Sequence, residues 1–265
     1  MSQIREIKDR MNGIQSTMKI TKAMYMISST KMNTAKQKAA NTDPYFYSLR
    51  KQILTILQNL PDHFEHPYLD SREYIDEKHQ NKAIICVTGD KGLAGAYNLN
   101  VLKLTEQIIK AHPNYKLYMI GEVGRQYFLR RHIPVEESFL YTAQNPTLSR
   151  ARSISSKMLE LYAEKTIDEV LIIYTRMDQH NQFTVDVEQL LPLYRLNQEV
   201  EVGGQTIHSI QLEPSPAELL NIVIPDYLSG FIYSSLVESY ASENFARMQA
   251  CLLYTSPSPR DPKTS

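Results

Sequence analysis

The chain has 265 residues and no formal net charge, with 29 Lys and Arg against 29 Asp and Glu. Hydrophobic residues at 42% and charged residues at 22% are typical of a globular protein and exclude a disordered or collagen-like chain, while the zero net charge argues against a strongly basic nucleic-acid binder. Two cysteines, Cys86 and Cys251, are too few for a disulfide framework and fit a reducing compartment.

The first 40 residues combine a local excess of positive charge with a long heptad pattern. Their net charge is +6, with Glu6 and Asp9 as the two acids, so the remaining residues carry −6. Apolar and small residues recur at alternating steps of three and four, which predicts a coiled-coil helix that needs a partner. This seam consists of Ile4, Ile7, Met11, Ile14, Met18, Thr21, Tyr25, Ser28, Met32, Ala35 and Ala39.

Pro44 is predicted to kink or break this helix, because proline removes a backbone hydrogen bond. An apolar pattern then resumes up to Leu60, so residues 1–60 are predicted to be an N-terminal coiled-coil helix kinked near Pro44. The polar residues 61–82 are predicted to be a linker. His63 and His66 have a spacing that metal ligands can adopt, but no other ligand cluster lies nearby, and a solvated loop is the favoured interpretation.

Residues 83–212 alternate between strand and helix patterns. Apolar runs predict buried strands at 83–88, 116–120 and 168–176, and an alternating run at 182–190 predicts an antiparallel partner for the last of them, with Asp178 and Asn181 in the turn. Helices are predicted at 99–112 and 122–131, and from Asn145 as N-cap, with Pro146 at the first helical position, to about 165. This order predicts a Rossmann-like α/β domain with a largely parallel sheet.

The last helical pattern covers residues 213–250. Ser215, Pro216 and Glu218 have the spacing of an N-cap, a first helical residue and a capping-box acid. Pro225 is predicted to bend or break this helix early. Amphipathic helices at both ends of the chain predict an antiparallel coiled coil with the α/β domain inserted between them.

Residues 251–265 do not continue the helical pattern. They contain Pro257, Pro259 and Pro262, and no C-cap precedes them. We interpret this segment as foreign sequence, such as a vector or adapter scar, and leave it out of the fold prediction. A natural disordered tail is the alternative.

The glycine-rich turn at Gly89–Gly95 invites a phosphate-binding interpretation that its spacing does not support. It lacks the Gly-Lys-Ser/Thr of a Walker A loop, and only Gly92 and Gly95 match part of a dinucleotide fingerprint. Cys86 lies in an apolar strand, as core cysteines do. No serine-hydrolase, zinc or thiol motif is present in the sequence, so we predict no catalytic residue, metal or cofactor.

Three separated stretches resemble the gamma subunit of bacterial F-type ATP synthases. The first is Ile20-Thr21-Lys22-Ala23-Met24, followed by Met26 and Lys31. The second is Gly89 to Gly95 (GDKGLAG) with Tyr97 and Asn98, and the third combines 212–216 (LEPSP), 242–244 (SEN) and 247–250 (RMQA). Their order and spacing match over residues 1–250.

This resemblance implies a non-catalytic rotor shaft that couples transmembrane proton or sodium flow to ATP synthesis and hydrolysis. The two terminal helices are expected to turn as an antiparallel coiled coil inside a ring of three alpha and three beta subunits, with the nucleotide chemistry in beta. The α/β domain is expected near the epsilon subunit and the c-ring. Membrane association is expected only through the complex, peripherally at the cytoplasmic face of the cell membrane, without nucleic acid.

The resemblance also implies roles for individual residues. Lys19, Lys22 and Lys31 are expected to meet acidic parts of beta, and Met24 and Arg247 to lie in the coupling zone between rotor and stator. Two further residues, Tyr45 and Glu213, are expected at the foot, facing epsilon or the c-ring. The family's C-terminal helix continues beyond Ala250, so the upper half of the shaft would be missing if the natural chain stopped there.

Two other functional classes remain open at this stage. One is a dinucleotide-using enzyme built on the α/β domain, which micromolar ATP or NAD binding with turnover would reveal. The other is a coiled-coil adaptor for a helical partner, which would not assemble with alpha and beta subunits.

Overall fold

The computed structural model describes residues 2–61, 64–70, 72, 75–76, 79–139, 142–178, 182–193 and 212–255. Its helices are α1 (Ser2–Gln58), α2 (Tyr97–Ala111), α3 (Glu122–Arg130), α4 (Leu148–Ala163) and α5 (Pro216–Thr255). Its strands are β1 (Lys82–Val87), β2 (Tyr115–Ile120), β3 (Glu137–Phe139), β4 (Glu169–Met177) and β5 (Phe183–Leu191). Two long helices therefore enclose an α/β unit in the chain, as predicted.

Helices α1 and α5 pack against each other in antiparallel directions. Phe46 of α1 lies beside Tyr233 of α5, with ring centroids 6.3 Å apart. Further toward the N-terminus of α1, Ala35 shares a small cavity with Val237 and Tyr240, which lie further toward the C-terminus of α5. Residue numbers thus fall along one helix as they rise along the other, which confirms the predicted antiparallel pair.

Helices α1 and α5 continue through Pro44 and Pro225, so neither proline breaks its helix, while the predicted kink at Pro44 and bend at Pro225 stay predictions. Pro44 lies on an exposed face of α1, where water can satisfy the carbonyl that loses its intrahelical donor. At Pro225 the carbonyl that loses its donor belongs to Asn221, which is also exposed. Packing between α1 and α5 stabilises both helices and outweighs the hydrogen bond lost at each proline.

The sheet has the strand order β3-β2-β1-β4-β5. Strand β1 pairs in parallel with β2 and β4, β2 pairs in parallel with β3, and β5 runs antiparallel to β4. The largely parallel sheet and its antiparallel return strand are confirmed. The turn residue Asp178 accepts a hydrogen bond from the Gln182 amide at 2.8 Å, whereas Asn181 lies outside the described residues.

Sequence reasoning missed one strand of the α/β unit and misplaced the start of one helix. Strand β3 was not predicted, because three residues with the sequence Glu-Ser-Phe are too short for a periodic pattern. Helix α4 begins at Leu148 rather than beside Pro146, because Thr147 is the N-cap: its hydroxyl accepts a hydrogen bond from the Arg150 amide at 3.3 Å. Thr147 rather than the predicted Asn145 therefore provides the capping oxygen.

The predicted linker at 61–82 is in part a docked segment. Arg72 is 2% exposed, forms a 2.7 Å ion pair with Asp168 and lies over the Tyr162 ring at 4.1 Å. His66 is buried with its Nε2 3.2 Å from Asn221 Oδ1, which identifies it as a packed histidine. His63 lies outside the described residues.

Helix α5 is apolar because it is a core helix. By length and composition it is the one described helix that could cross a membrane, with mean hydropathy 1.2 over its most apolar window. Yet 56% of that window is buried inside the protein. Leu220, Ile224, Leu228, Ile232 and Leu236 are all buried in the same hydrophobic cluster as the inner residues of α4 and β4.

Candidate functional site

The basic face of α1 begins in the segment where no described part of α5 covers it. Lys19 and Lys22 are exposed. Met24, two residues after Lys22, is half-buried. Ile20 and Ile27, which flank these residues, are 62% and 56% exposed. Large apolar side chains beside lysines form a surface suited to contact with another protein.

Arg247 links the shaft to the α/β domain. Its Nη2 donates to the carbonyl oxygens of Lys91 and Gly92, at 3.3 and 3.2 Å, and it forms a close ion pair with Glu243 one helical turn earlier. Both side chains of this pair are largely buried. Arg247 therefore holds the turn after β1 against α5.

Glu243 occupies the space in front of Gly89. A Cβ atom at Gly89 would lie 2.7 Å from the Glu243 carboxyl carbon, so a larger residue there would displace the Glu243 carboxylate. Burial raises the pKa of Glu243 above its ordinary value, and the neighbouring Arg247 partly opposes that rise. The glycines of this turn thus make room for a carboxylate of the chain's own shaft.

This arrangement disfavours phosphate binding at the glycine-rich turn. The Gly89 amide donates to Asn98 Oδ1 at 2.9 Å, and Asp90 Oδ1 accepts from the Glu122 amide at the start of α3, also at 2.9 Å. The Gly89 amide and the Asp90 carboxylate are thus already engaged within the chain, and the nearby Arg247 is paired with Glu243. The described geometry gives the dinucleotide hypothesis no support.

Lys31 and Arg247 are brought together, whereas Lys19 and Lys22 are not part of that group. Lys31, although exposed, lines a small cavity together with Asp90, Glu243 and Arg247. Lys31, like Arg247, opposes the rise that burial causes in the pKa of Glu243. The predicted coupling residues therefore occupy two places on the shaft: an exposed stretch of α1 and the junction with the α/β domain.

The two predicted foot residues lie far apart along the shaft. Tyr45 is 55% exposed and its ring packs edge-on against Phe46, with centroids 5.3 Å apart. Glu213 is also exposed and precedes α5, joined to Pro214 by a cis peptide bond. Phe46 contacts α5 at Gly230, and the rise from there to Pro216 is about 20 Å, so Tyr45 and Glu213 do not form one cluster.

Sequence reasoning missed Glu243 as a functional residue. Its spacing of four from Arg247 was the available signal, because oppositely charged residues at that spacing meet on one helix face. The distant partner, Gly89, could not be inferred from helix spacing. No group of three or more potential metal ligands occurs among the described residues, and Cys86 is fully buried with its pKa raised by burial to about 12.

The fold and its exposed surfaces define a class of protein: a two-helix shaft that carries an α/β domain and presents helix surfaces to other proteins. Residues 3–252 match the family model described as ATP synthase. The chain is 37% identical over 254 residues to the ATP synthase gamma chain of Caldanaerobacter subterraneus subsp. tengcongensis, covering 93% of this chain and 85% of that one. It is 38% identical over 251 residues to the ATP synthase gamma chain of Ruminiclostridium cellulolyticum, covering 93% and 84%. The chain belongs to the ATP synthase gamma chain family.

Solved structures agree on the fold. The central stalk and c-ring structure of the Tetrahymena thermophila mitochondrial ATP synthase contains a similar chain, with a TM-score of 0.67 and 22% identity, covering 89% of this chain and 100% of that one. The rotor of the Euglena gracilis mitochondrial ATP synthase gives a TM-score of 0.64 at 15% identity, covering 95% and 90%.

Proposed function

We propose that the chain is the central-stalk rotor subunit of a rotary ATP synthase and couples transmembrane proton or sodium flow to ATP synthesis and hydrolysis. Its partners are three alpha and three beta subunits around the shaft, and the epsilon subunit and c-ring at its foot. The chain itself supplies no catalytic group and binds no cofactor. It is held peripherally at the cytoplasmic face of the cell membrane through the complex.

The observation that carries this proposal, beside the family, is the exposed seam at the start of α1. Ile4, Ile7 and Ile14 are 61 to 74% exposed and follow one heptad stripe. A row of large apolar side chains in water is stabilised when another protein covers it, and a surrounding ring of subunits does so without a fixed partner helix. Lysines beside the stripe favour an acidic inner surface in that ring.

We assign the coupling interface to Lys19, Lys22, Met24, Lys31 and Arg247, and foot contacts to Tyr45 and Glu213. Lys19 and Lys22 are exposed side chains of α1, and Met24 beside them is half-buried. Arg247 and Lys31 act at the junction, where Arg247 fixes the turn after β1 to the shaft, so that torque on α5 reaches the α/β domain.

The test is a substitution that changes coupling without unfolding the shaft. In the complex assembled from all subunits, Met24→Lys is expected to lower ATP-driven proton pumping severalfold relative to ATP hydrolysis, because a half-buried thioether becomes a cation against the ring. Pumping is measured by fluorescence quenching in inverted vesicles, alongside hydrolysis in the same vesicles.

Ile222→Lys is the matched control, since Ile222 is a 63% exposed apolar residue on α5 far from Met24. It is expected to leave the ratio of pumping to hydrolysis unchanged. Equal ratios for the Met24→Lys and wild-type complexes would remove Met24 from the coupling interface. Failure of the chain to assemble with alpha and beta subunits would contradict the rotor function as a whole.

A further inference from the structure

A cavity of about 530 Å³ lies where α1, α5 and the hairpin of β4 and β5 meet. Its volume falls within the roughly 300–1,000 Å³ that is usual for small-molecule sites. One face of α5 contributes Phe231 and Glu238, seven residues apart, and α1 contributes Phe46 and Tyr47. The cavity is separate from the junction at Arg247 and from the exposed stretch of α1.

Glu238 gives this cavity an unusual electrostatic character. Its Oε2 is shielded from solvent and has no hydrogen-bond partner among the described residues. Burial, reinforced by the charges of Asp43 on α1 and Asp186 on β5, raises the pKa of Glu238 to about 7, while Arg176 on β4 opposes the rise. A buried carboxylate without a partner is costly, and a bound cation removes that cost.

Of the two arginines that line the cavity, Arg176 opposes the rise in the pKa of Glu238 but leaves that pKa above its ordinary value. Arg176 is held by Asp186, with its Nε 3.0 Å from Oδ2, and Arg50 is engaged in contacts within the chain. Glu188, on β5, adds a further carboxylate to the lining. Among the charged groups of the lining, Glu238 thus stands out by an oxygen without a hydrogen-bond donor, which a cationic donor would satisfy.

The remaining walls favour a flat apolar body. The rings of Phe46, Tyr47, Tyr174 and Phe231 line the cavity from α1, β4 and α5. Aromatic faces attract cations as well as apolar groups, so they complement the carboxylate rather than oppose it. Aromatic rings together with a carboxylate are a common combination for recognising an organic cation.

We propose that this cavity binds an organic cation, an ammonium or amidinium group on a flat apolar body, with Glu238 as its counter-ion. This site is independent of the rotor function, since none of the coupling or foot residues lines it. The bound cation bridges α1, α5 and the sheet, and it therefore stabilises the packing of the shaft on the α/β domain.

The first experiment titrates the full chain with benzamidine, and with benzamide and benzoate as neutral and anionic analogues of the same shape. Isothermal titration calorimetry at pH 8 is expected to give benzamidine an affinity at least tenfold above that of either analogue. Between pH 8 and pH 6 the affinity for benzamidine is expected to fall about tenfold, because Glu238, with a pKa of about 7, becomes protonated while the amidine stays charged. Benzoate binding as tightly as benzamidine, or no benzamidine binding at pH 8, overturns the proposal.

Two variants separate binding at this cavity from binding elsewhere. Glu238→Gln is expected to weaken benzamidine binding at least tenfold at pH 8 and to abolish the dependence on pH, while Glu218→Gln, an exposed acid in the first turn of α5, leaves both unchanged. Ser234→Leu, which fills part of the cavity, is expected to weaken binding of every probe. Unchanged binding in Glu238→Gln overturns the proposal.

The last experiment repeats the benzamidine titration with the assembled complex. Retained affinity for benzamidine in the presence of the other subunits supports a site for free organic cations. Loss of binding on assembly overturns that assignment, because a side chain of another subunit would then occupy the cavity.

Discussion

The same heptad seam of α1 meets two different environments. In the N-terminal shaft segment, residues 4–20, Ile4 and Met11 are 74% and 52% exposed. In the paired shaft segment, residues 21–58, the seam residues Ser28 and Ala35 are each only 2% exposed, and Ile53, which follows the seam, is fully buried. The most hydrophobic part of the seam is thus the exposed part, and its small and polar residues are buried.

The contrast follows from how closely α5 approaches. Small side chains such as Ser28 and Ala35 allow two helix backbones to come together, and Gly230 does the same from the side of α5, where it faces the Phe46 ring. Large side chains at Ile4 and Met11 instead form a raised apolar surface with no described helix against it. A heptad pattern therefore predicts the stripe, whereas residue size along it indicates where a close partner packs.

The largest expected effect comes from truncating one isoleucine of α1 in each segment. Ile53→Ala is expected to lower the free energy of unfolding by about 2–5 kcal/mol, because it leaves a cavity in the core that α1 shares with α5 and the sheet. Ile7→Ala, at a position 67% exposed, is expected to change it by less than about 0.5 kcal/mol. Urea denaturation followed by circular dichroism measures both, and similar losses would refute the distinction between the segments.

The fold was predictable where a pattern is local and long. Periodicity and capping chemistry predict the buried strands near 83–88 and 168–176, the N-cap at Ser215 and the antiparallel closure of the two ends. The Ser215 hydroxyl does accept a hydrogen bond from the Glu218 amide, at 3.3 Å. The wrong predictions concern single residues whose effect depends on surroundings. Pro44 does not end α1 because tertiary packing outweighs one lost hydrogen bond.

The candidate site was less predictable, since its residues meet across long stretches of chain. The resemblance pointed to Arg247. Its hydrogen bond to the Gly92 carbonyl, however, joins residues 155 positions apart, and no local pattern predicts such a contact. No periodicity connects Glu243 with Gly89, or Glu238 with Arg176. Such pairs depend on the register between α5 and the sheet, which a single sequence does not specify.

The next prediction compares two glycines inside long helices. Gly230 lies where α5 contacts α1, and Gly13 lies in the N-terminal shaft segment. A methyl group at Gly230 would overlap the Phe46 ring, so Gly230→Ala is expected to destabilise the protein by about 1–3 kcal/mol through overpacking. Gly13, in the N-terminal shaft segment, has no atom within 4 Å of an added Cβ, so Gly13→Ala is expected to stabilise by about 0.5–1 kcal/mol. Opposite signs in thermal unfolding midpoints confirm the comparison. A stabilising Gly230→Ala would mean that the helices are not in close contact there.

The last prediction concerns how the stability of the protein depends on pH. The pKa of Glu238 is raised by burial to about 7, above its value near 4.5 in the unfolded chain, so folding favours the protonated form. As pH rises from about 4.5 through 7, the wild-type protein is expected to lose on the order of 1–2 kcal/mol relative to Glu238→Gln, whose amide does not ionise. Glu6→Gln, in the exposed N-terminal shaft segment, is expected to follow the wild type across the same range. Urea midpoints at pH 5 and pH 8 measure the difference. Parallel pH profiles for the Glu238→Gln and wild-type proteins would show that Glu238 is solvated rather than confined beneath α1.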